Sequence, residues 1–303
     1  MNEDRFYNSD ESKSEFDLAN FFKEAYRTIL FSSIFILLVS IGIALSLEDK
    51  YKASALLNPA NVKNQLSLHK MSGGLSAFSS LGMLGNTNAP EVDEGIALIR
   101  SYNFSLEFIK KYDIAKFLLA TKYWDEELNT IIIDESKYDE VAQKWKEIGL
   151  INKKIPTEED FYHKFLSLFS LSLDKRTGFV TLSFQHNSPF FAVSVIENLI
   201  YEINSYYRDR AIKQAYDAIN YMLIQSSESL NSGTKDILSD IIQEQHKIIA
   251  VAKSNPDYLF TVLNEPFVTK FKSSPNRILI VLIGLIIGAV IGFLISLIKI
   301  LRK

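Results

Sequence analysis

The chain has 303 residues, a formal net charge of −3 and 47% hydrophobic residues at a mean hydropathy of +0.04. That charge leaves no electrostatic footprint for nucleic acid. With no cysteine, a disulfide framework, a thiolate nucleophile and a cysteine-based metal site are excluded in any compartment.

In chain order, a polar tract over residues 1–28 precedes "ILFSSIFILLVSIGIALSL", Ile29 to Leu47, which carries no charge. "ALS" at Ala44 to Ser46 loosely resembles a cleavage site, but the run exceeds the roughly 7–15 apolar residues of a signal core. It is read as an uncleaved anchor. "YKASALLNP", Tyr51 to Pro59, then alternates as a strand does. The glycine-rich stretch from Met71 to Pro90 reads as a loop. A second reading is that its Leu75, Phe78, Leu81, Met83 and Leu84 dock on the membrane face or on a neighbouring subunit.

From Glu91 to Ile114, Ile96, Ile99, Phe104, Phe108 and Ile109 recur at spacings of one or two amphipathic helices. Thr157 is placed to cap a helix whose first turn carries Glu158, Glu159 and Asp160, where the helix dipole favours negative charge. "LFSLSLD" and "GFVTLSFQH" predict a hairpin around Asp174 to Gly178.

Ser188 and Pro189 then open a helix with no further proline or glycine before Gly233. Running to about Asn231, it would extend roughly 65 Å. Ile196, Leu199, Ile200, Ile203, Tyr206, Tyr207, Ile212, Ile219 and Leu223 form a stripe along it that a partner must cover. A reversal at Gly233 starts a shorter return helix ending at Pro256. This helix covers only the far half of the long one, leaving the near half for the sheet or another subunit. A final strand, Asp257 to Pro266, leads to the second uncharged run, Ile278 to Ile298. As a helix, that run is about 30 Å long, the thickness of a bilayer's hydrocarbon core. Gly284, Gly288 and Gly292 recur on one of its faces, as at close helix-packing interfaces in membranes.

The expected organisation follows. Residues 1–28 and 299–303 are cytoplasmic tails, and 29–47 and 278–298 are transmembrane helices. Residues 48–277 form an exported α+β domain, with an α/β base over 48–188 and 256–277 and a helical arm over 189–255. Lys23, Arg27, Lys299, Arg302 and Lys303 favour cytoplasmic termini, although Lys50, Lys52, Lys270, Lys272 and Arg277 sit at the opposite helix ends. No metal, cofactor or catalytic residue is assigned. His69, His163, His186 and His246 lack ligand spacing, H-E-x-x-H and G-x-S-x-G are absent, and Glu126–Glu127 and Asp139–Glu140 read as solvated surface.

"DLANFFKEAYRTI", "YKASALLNP", "EGIALIRSYNFSLEFIKKYDI", the long helix and "LSDIIQEQHKIIAVAKSNPDYLFTVLNEP", in that order, resemble the polysaccharide co-polymerases, the Wzz-type chain-length determinants of O-antigen and related glycans. The likeness spans nearly the whole chain. It implies a bacterial inner-membrane protein whose periplasmic domains assemble into a homo-oligomeric ring. The partners implied are a separate membrane polymerase and its growing lipid-linked glycan. It also implies no enzymatic activity. Such proteins have several closely spaced prolines before the last helix, whereas only Pro266 and Pro275 stand here. The kinase-bearing branch is excluded, because no G-x-x-x-x-G-K-[ST] loop or terminal tyrosine cluster occurs. An export auxiliary coupled to a transporter shares the same anchors and helices. A receptor is disfavoured by the short flanking tails, and an extracytoplasmic hydrolase by the lack of site chemistry.

Overall fold

The computed structural model describes residues 18–60, 88–149, 154–228, 232–268 and 272–301. The glycine-rich stretch over 71–87, most of the N-terminal tail, His69, Arg302 and Lys303 lie outside them. Helix α1 (Leu18–Ser46) starts well before the apolar run. Strand β1 (Tyr51–Pro59) follows, with Ala53, Ala55 and Leu57 buried on alternate positions as its pattern predicts.

Two helices then occupy the predicted amphipathic region, α2 (Asn88–Ile99) and α3 (Tyr102–Lys111). They break at Ser101, whose side chain accepts from the Phe104 amide at 3.4 Å. After the short α4 (Ala115–Leu119) come two small hairpins, β2 (Thr121–Asp125) with β3 (Thr130–Ile133), and β4 (Tyr138–Asp139) with β5 (Lys144–Trp145). Helix α5 (Glu158–Leu168) begins where Thr157 predicts it. The Asp160 carboxylate accepts from the Thr157 amide and hydroxyl, both at 2.8 Å. The predicted hairpin is β6 (Phe169–Leu173) and β7 (Val180–His186). At its turn, Gly178 has φ +75°, a conformation costly for any residue with a Cβ.

Helix α6 (Pro189–Glu228) opens with the Phe191 amide donating to Ser188 Oγ at 3.3 Å. Helix α7 (Ser232–Ser254) returns toward β8 (Phe260–Val268). Gly233, expected at the reversal, is thus the second residue of α7, and residues 229–231 lie outside the described ones. The sheet has the order β6-β7-β1-β8 and is antiparallel throughout, with Tyr51 opposite His186 and Leu57 opposite Val180. Pro266, expected to end the last strand, lies inside β8. Edge position and a register shift between the pairs Ser54–Phe267 and Leu56–Asn264 let the strand accommodate a residue with no N–H.

The first half of α6 lies on this sheet. Ile196, Leu199 and Ile203 are fully buried with Leu57, Leu182, Phe184, Phe165 and Phe260, and each such side chain contributes roughly 1.5–3 kcal/mol by leaving water. Farther out, Ala215 and Ile219 form a separate small cluster with Ile249 of α7. The stripe is not covered to its end, however. Leu223 is 53% exposed, because a two-helix hairpin offers the long helix only one line of contact, and Tyr206, next to the buried Tyr207, is turned off the core and 43% exposed.

The chain closes with α8 (Arg277–Leu301), led by Asn276, whose Oδ1 accepts from the Leu279 amide at 3.2 Å. Contacts divide the molecule into two units, Met1–Glu48 with Ser274–Lys303, and Asp49–Ser273. The fold is therefore α+β: a mixed helix and sheet body with a helical arm, and an apolar helix toward each terminus.

Candidate functional site

In the first unit, α1 and α8 pack directly on each other, and the glycines of α8 set how closely. A methyl placed on Gly288 would lie 2.8 Å from Ser33 Cα, and one on Gly292 would lie 2.7 Å from Ile29 Cα. At Gly284 it would lie 2.6 Å from Ser40 Cβ. Real Cβ atoms do not approach that near, so only glycine permits these contacts. The face of α1 that receives them is serine-rich. Ser40 is buried and satisfies its hydroxyl by donating to the Ile36 and Leu37 carbonyls, at 2.9 and 3.1 Å. The sequence signal for this partner was present in "SS" at Ser32–Ser33 and in Ser40, small residues within an otherwise bulky run.

The outward faces of both helices are apolar and open. Tyr26–Ser46 and Arg277–Lys299 are long and apolar enough to cross a membrane, and of their most apolar stretches only 11% and 17% is buried. A core helix of a water-soluble body would be mostly covered. Here Phe31 and Ile278 are 72% and 75% exposed, which is costly in water and favourable in lipid.

In the second unit the root of the arm is pinned by polar groups. Asn204 is buried, and its Nδ2 donates to the Phe260 carbonyl at 2.9 Å. Its Oδ1 accepts from the Leu259 and Phe260 amides at 2.9 and 2.8 Å. Glu202 accepts from Lys111 Nζ at 2.6 Å and from the Tyr112 hydroxyl at 2.7 Å; burial, then this hydrogen bond, pushes the phenol's pKa well up. Arg210 pairs with Glu94 of α2. Asn204 stood among the polar positions off the stripe, and nothing in its local sequence distinguishes a buried amide from a solvated one.

His186, at the end of β7 opposite Tyr51, is 2% exposed. Its Nε2 donates to the Phe117 carbonyl at 2.9 Å and its Nδ1 accepts from the Ser188 amide at 3.1 Å, which defines a neutral ring. Burial, aided by Lys50 and Lys164, lowers its pKa to about 4. His163 lies exposed beside Glu159, and His246 is exposed on α7. Among the described residues no group of three or more His, Asp or Glu is placed to hold a metal.

Asp139, paired with Glu140 in the sequence, is a turn former. Its Oδ1 accepts from the Val141 and Ala142 amides, and these hydrogen bonds lower its pKa. Pro275 lies in the connector before α8, and the peptide bond preceding it is cis.

No protein-family model matches the chain, and no curated relative matches it. Solved structures do. One, a full-length bacterial polysaccharide co-polymerase, aligns over 94% of this chain and 97% of its own, with 11% identity and a TM-score of 0.39. Another, a fragment of WzzB, the polysaccharide co-polymerase from Salmonella Typhimurium, aligns over 75% of this chain and all of its own, with 12% identity and a TM-score of 0.29.

Proposed function

We propose that this protein is a non-catalytic regulator of the chain length of a bacterial surface polysaccharide, O-antigen or a related glycan. It is held in the inner membrane by α1 and α8, with both termini cytoplasmic and the α+β unit in the periplasm. Copies assemble into a ring that serves as scaffold for a separate membrane polymerase acting on a lipid-linked glycan. The glycine face of α8 and the segment from Pro266 to Pro275 then carry structural roles in the anchor and its approach.

The observation that carries this reading is the combination of two lipid-suited helices, one toward each terminus, with an arm whose outer part stays apolar. Tyr221, Leu223, Ile224 and Ile237 are each more than half exposed, and a neighbouring arm would cover them. Scaffolding acts through local concentration: subunits held in one ring keep polymerase and glycan together longer than free diffusion would.

The test is a gel of surface polysaccharide from cells with and without the gene. Collapse of a narrow modal band into a broad, short distribution supports the proposal. Complete loss of surface polymer points instead to an auxiliary of polysaccharide export.

A further inference from the structure

One edge of the α+β unit carries a group of aromatic side chains that its core does not use. The Tyr51 and Trp124 rings meet edge to face at 5.7 Å, and Trp124 lies 6.1 Å from Phe190. Phe190 is 61% exposed at the start of α6, and Tyr123 and Leu128 of the β2–β3 hairpin are also exposed. Trp124 satisfies its indole N–H on Asn129 Oδ1 at 3.2 Å, so its ring can enter an apolar phase without stranding a donor.

Chain connectivity ties this edge to the two apolar helices whatever the orientation of the units. Tyr51 follows the last residue of α1 by five positions, a reach of at most about 18 Å. The chain leaves the unit at Ser273, whose amide donates to the Lys50 carbonyl at 2.9 Å, four positions before α8 begins. Both tethers therefore converge beside Tyr51.

We infer that the edge carrying Tyr51, Trp124 and Phe190 is seated in the headgroup zone of the bilayer that the terminal helices cross. The inference rests on the membrane reading above. Tyrosine and tryptophan favour that zone because one end of each ring system is apolar and the other wet. Lys50, Lys52 and Lys122 are balanced by Asp125, Glu126 and Glu127, and Lys272 pairs with Asp49, so ring partition and not net charge holds the seat. The neutral lipid phosphatidylcholine is accordingly the probe.

Only two tryptophans occur, so Trp145→Phe leaves Trp124 as the sole tryptophan of the full chain, excited on the red edge where tyrosine does not absorb. The variant is reconstituted in nanodiscs of phosphatidylcholine, plain or brominated on the acyl chain near the headgroup. A second sample, Leu282→Trp, an exposed position about one turn inside the apolar run, in a Trp124→Phe, Trp145→Phe background, reports insertion of α8. Loss of most Trp124 emission in the brominated bilayer, with quenching of the control, is the expected result. Control quenched with Trp124 unaffected overturns the seat and leaves the membrane reading standing; neither quenched overturns both. Trp124 shielded from bromine and from aqueous iodide alike shows protein covering it, such as a second copy, and also overturns the seat. If Trp145→Phe fails to fold, a spin label on Phe190→Cys, the sole thiol, reads the same contact at an exposed position. Access to oxygen above access to a water-soluble nickel chelate supports the seat, and the reverse order overturns it.

Discussion

Asn204 closes a two-way hydrogen bond with the backbone of Phe260, donating to its carbonyl at 2.9 Å and accepting from its amide at 2.8 Å. One buried side chain thus joins the middle of α6 to the first residue of β8, 56 positions away.

Asn204→Leu keeps the branched shape at a larger volume and removes the partner of the Leu259 and Phe260 amides and the Phe260 carbonyl. Each unsatisfied buried group costs about 1–3 kcal/mol, so the thermal transition in detergent should fall by several degrees. Asn204→Asp keeps the acceptor and adds a buried charge, and should be worse. A midpoint for Asn204→Leu within a degree of the parent would refute the pin.

Alanine at Gly288 or Gly292 meets backbone atoms of α1, whereas at Gly284 it meets the Ser40 side chain, with the Ile36 carbonyl at an ordinary 3.7 Å behind it. Overpacking of this kind costs roughly 1–3 kcal/mol. Ser40→Gly should therefore rescue Gly284→Ala but not Gly288→Ala, as read by thermal stability in detergent. Gly288→Leu should in addition shift the glycan length distribution while total glycan persists.

His186 is neutral in the fold down to about pH 4, against an ordinary value of 6.5. Between those values the unfolded chain binds a proton that the folded one refuses, so stability falls as pH drops from 6.5 to 4, by on the order of 3 kcal/mol. His186→Asn should flatten that slope whatever it does to absolute stability. Asp160 acts lower. Hydrogen bonds from Lys154 and Thr157 depress its pKa to about 2, so its contribution is full above 3.8 and disappears as pH falls through 2. Denaturant midpoints across pH 2 to 7 report both.

Leu223→Glu with Ile224→Asp places charge on the open face of the arm without touching the Ala215–Ile219–Ile249 cluster. Subunit stability should change little, while light scattering in detergent should show a smaller assembly. An unchanged mass would remove the arm from the oligomer contact.

The long periodic elements were legible from sequence: β1 to the residue, the β6–β7 hairpin, α5 from its cap, and α6 from Ser188. The outer end of the arm's stripe is not fixed by sequence, because periodicity identifies an apolar face without saying whether the same chain covers it, as at Leu223. The two small hairpins escaped because their strands are too short for alternation to register. Their turns did carry a signal. "DEELN" and "DEVAQ" share one construction, an aspartate accepting from two following amides and a closing residue at positive φ, Asn129 at 50° and Gln143 at 52°. The serine face of α1 and the buried amide of Asn204 depend on what packs opposite, which local sequence does not hold.

From Asn204 to Glu228, α6 runs on for about 36 Å. The helix is therefore a lever whose root is held at Asn204, at the buried Tyr207 and at the Arg210–Glu94 pair. A sideways load on Leu223 produces torque at the point where the amide grips Phe260. Part of that torque is delivered into β8, the strand whose chain continues through Ser273 to α8, so a load on the arm's outer end has a covalent route toward the last apolar helix.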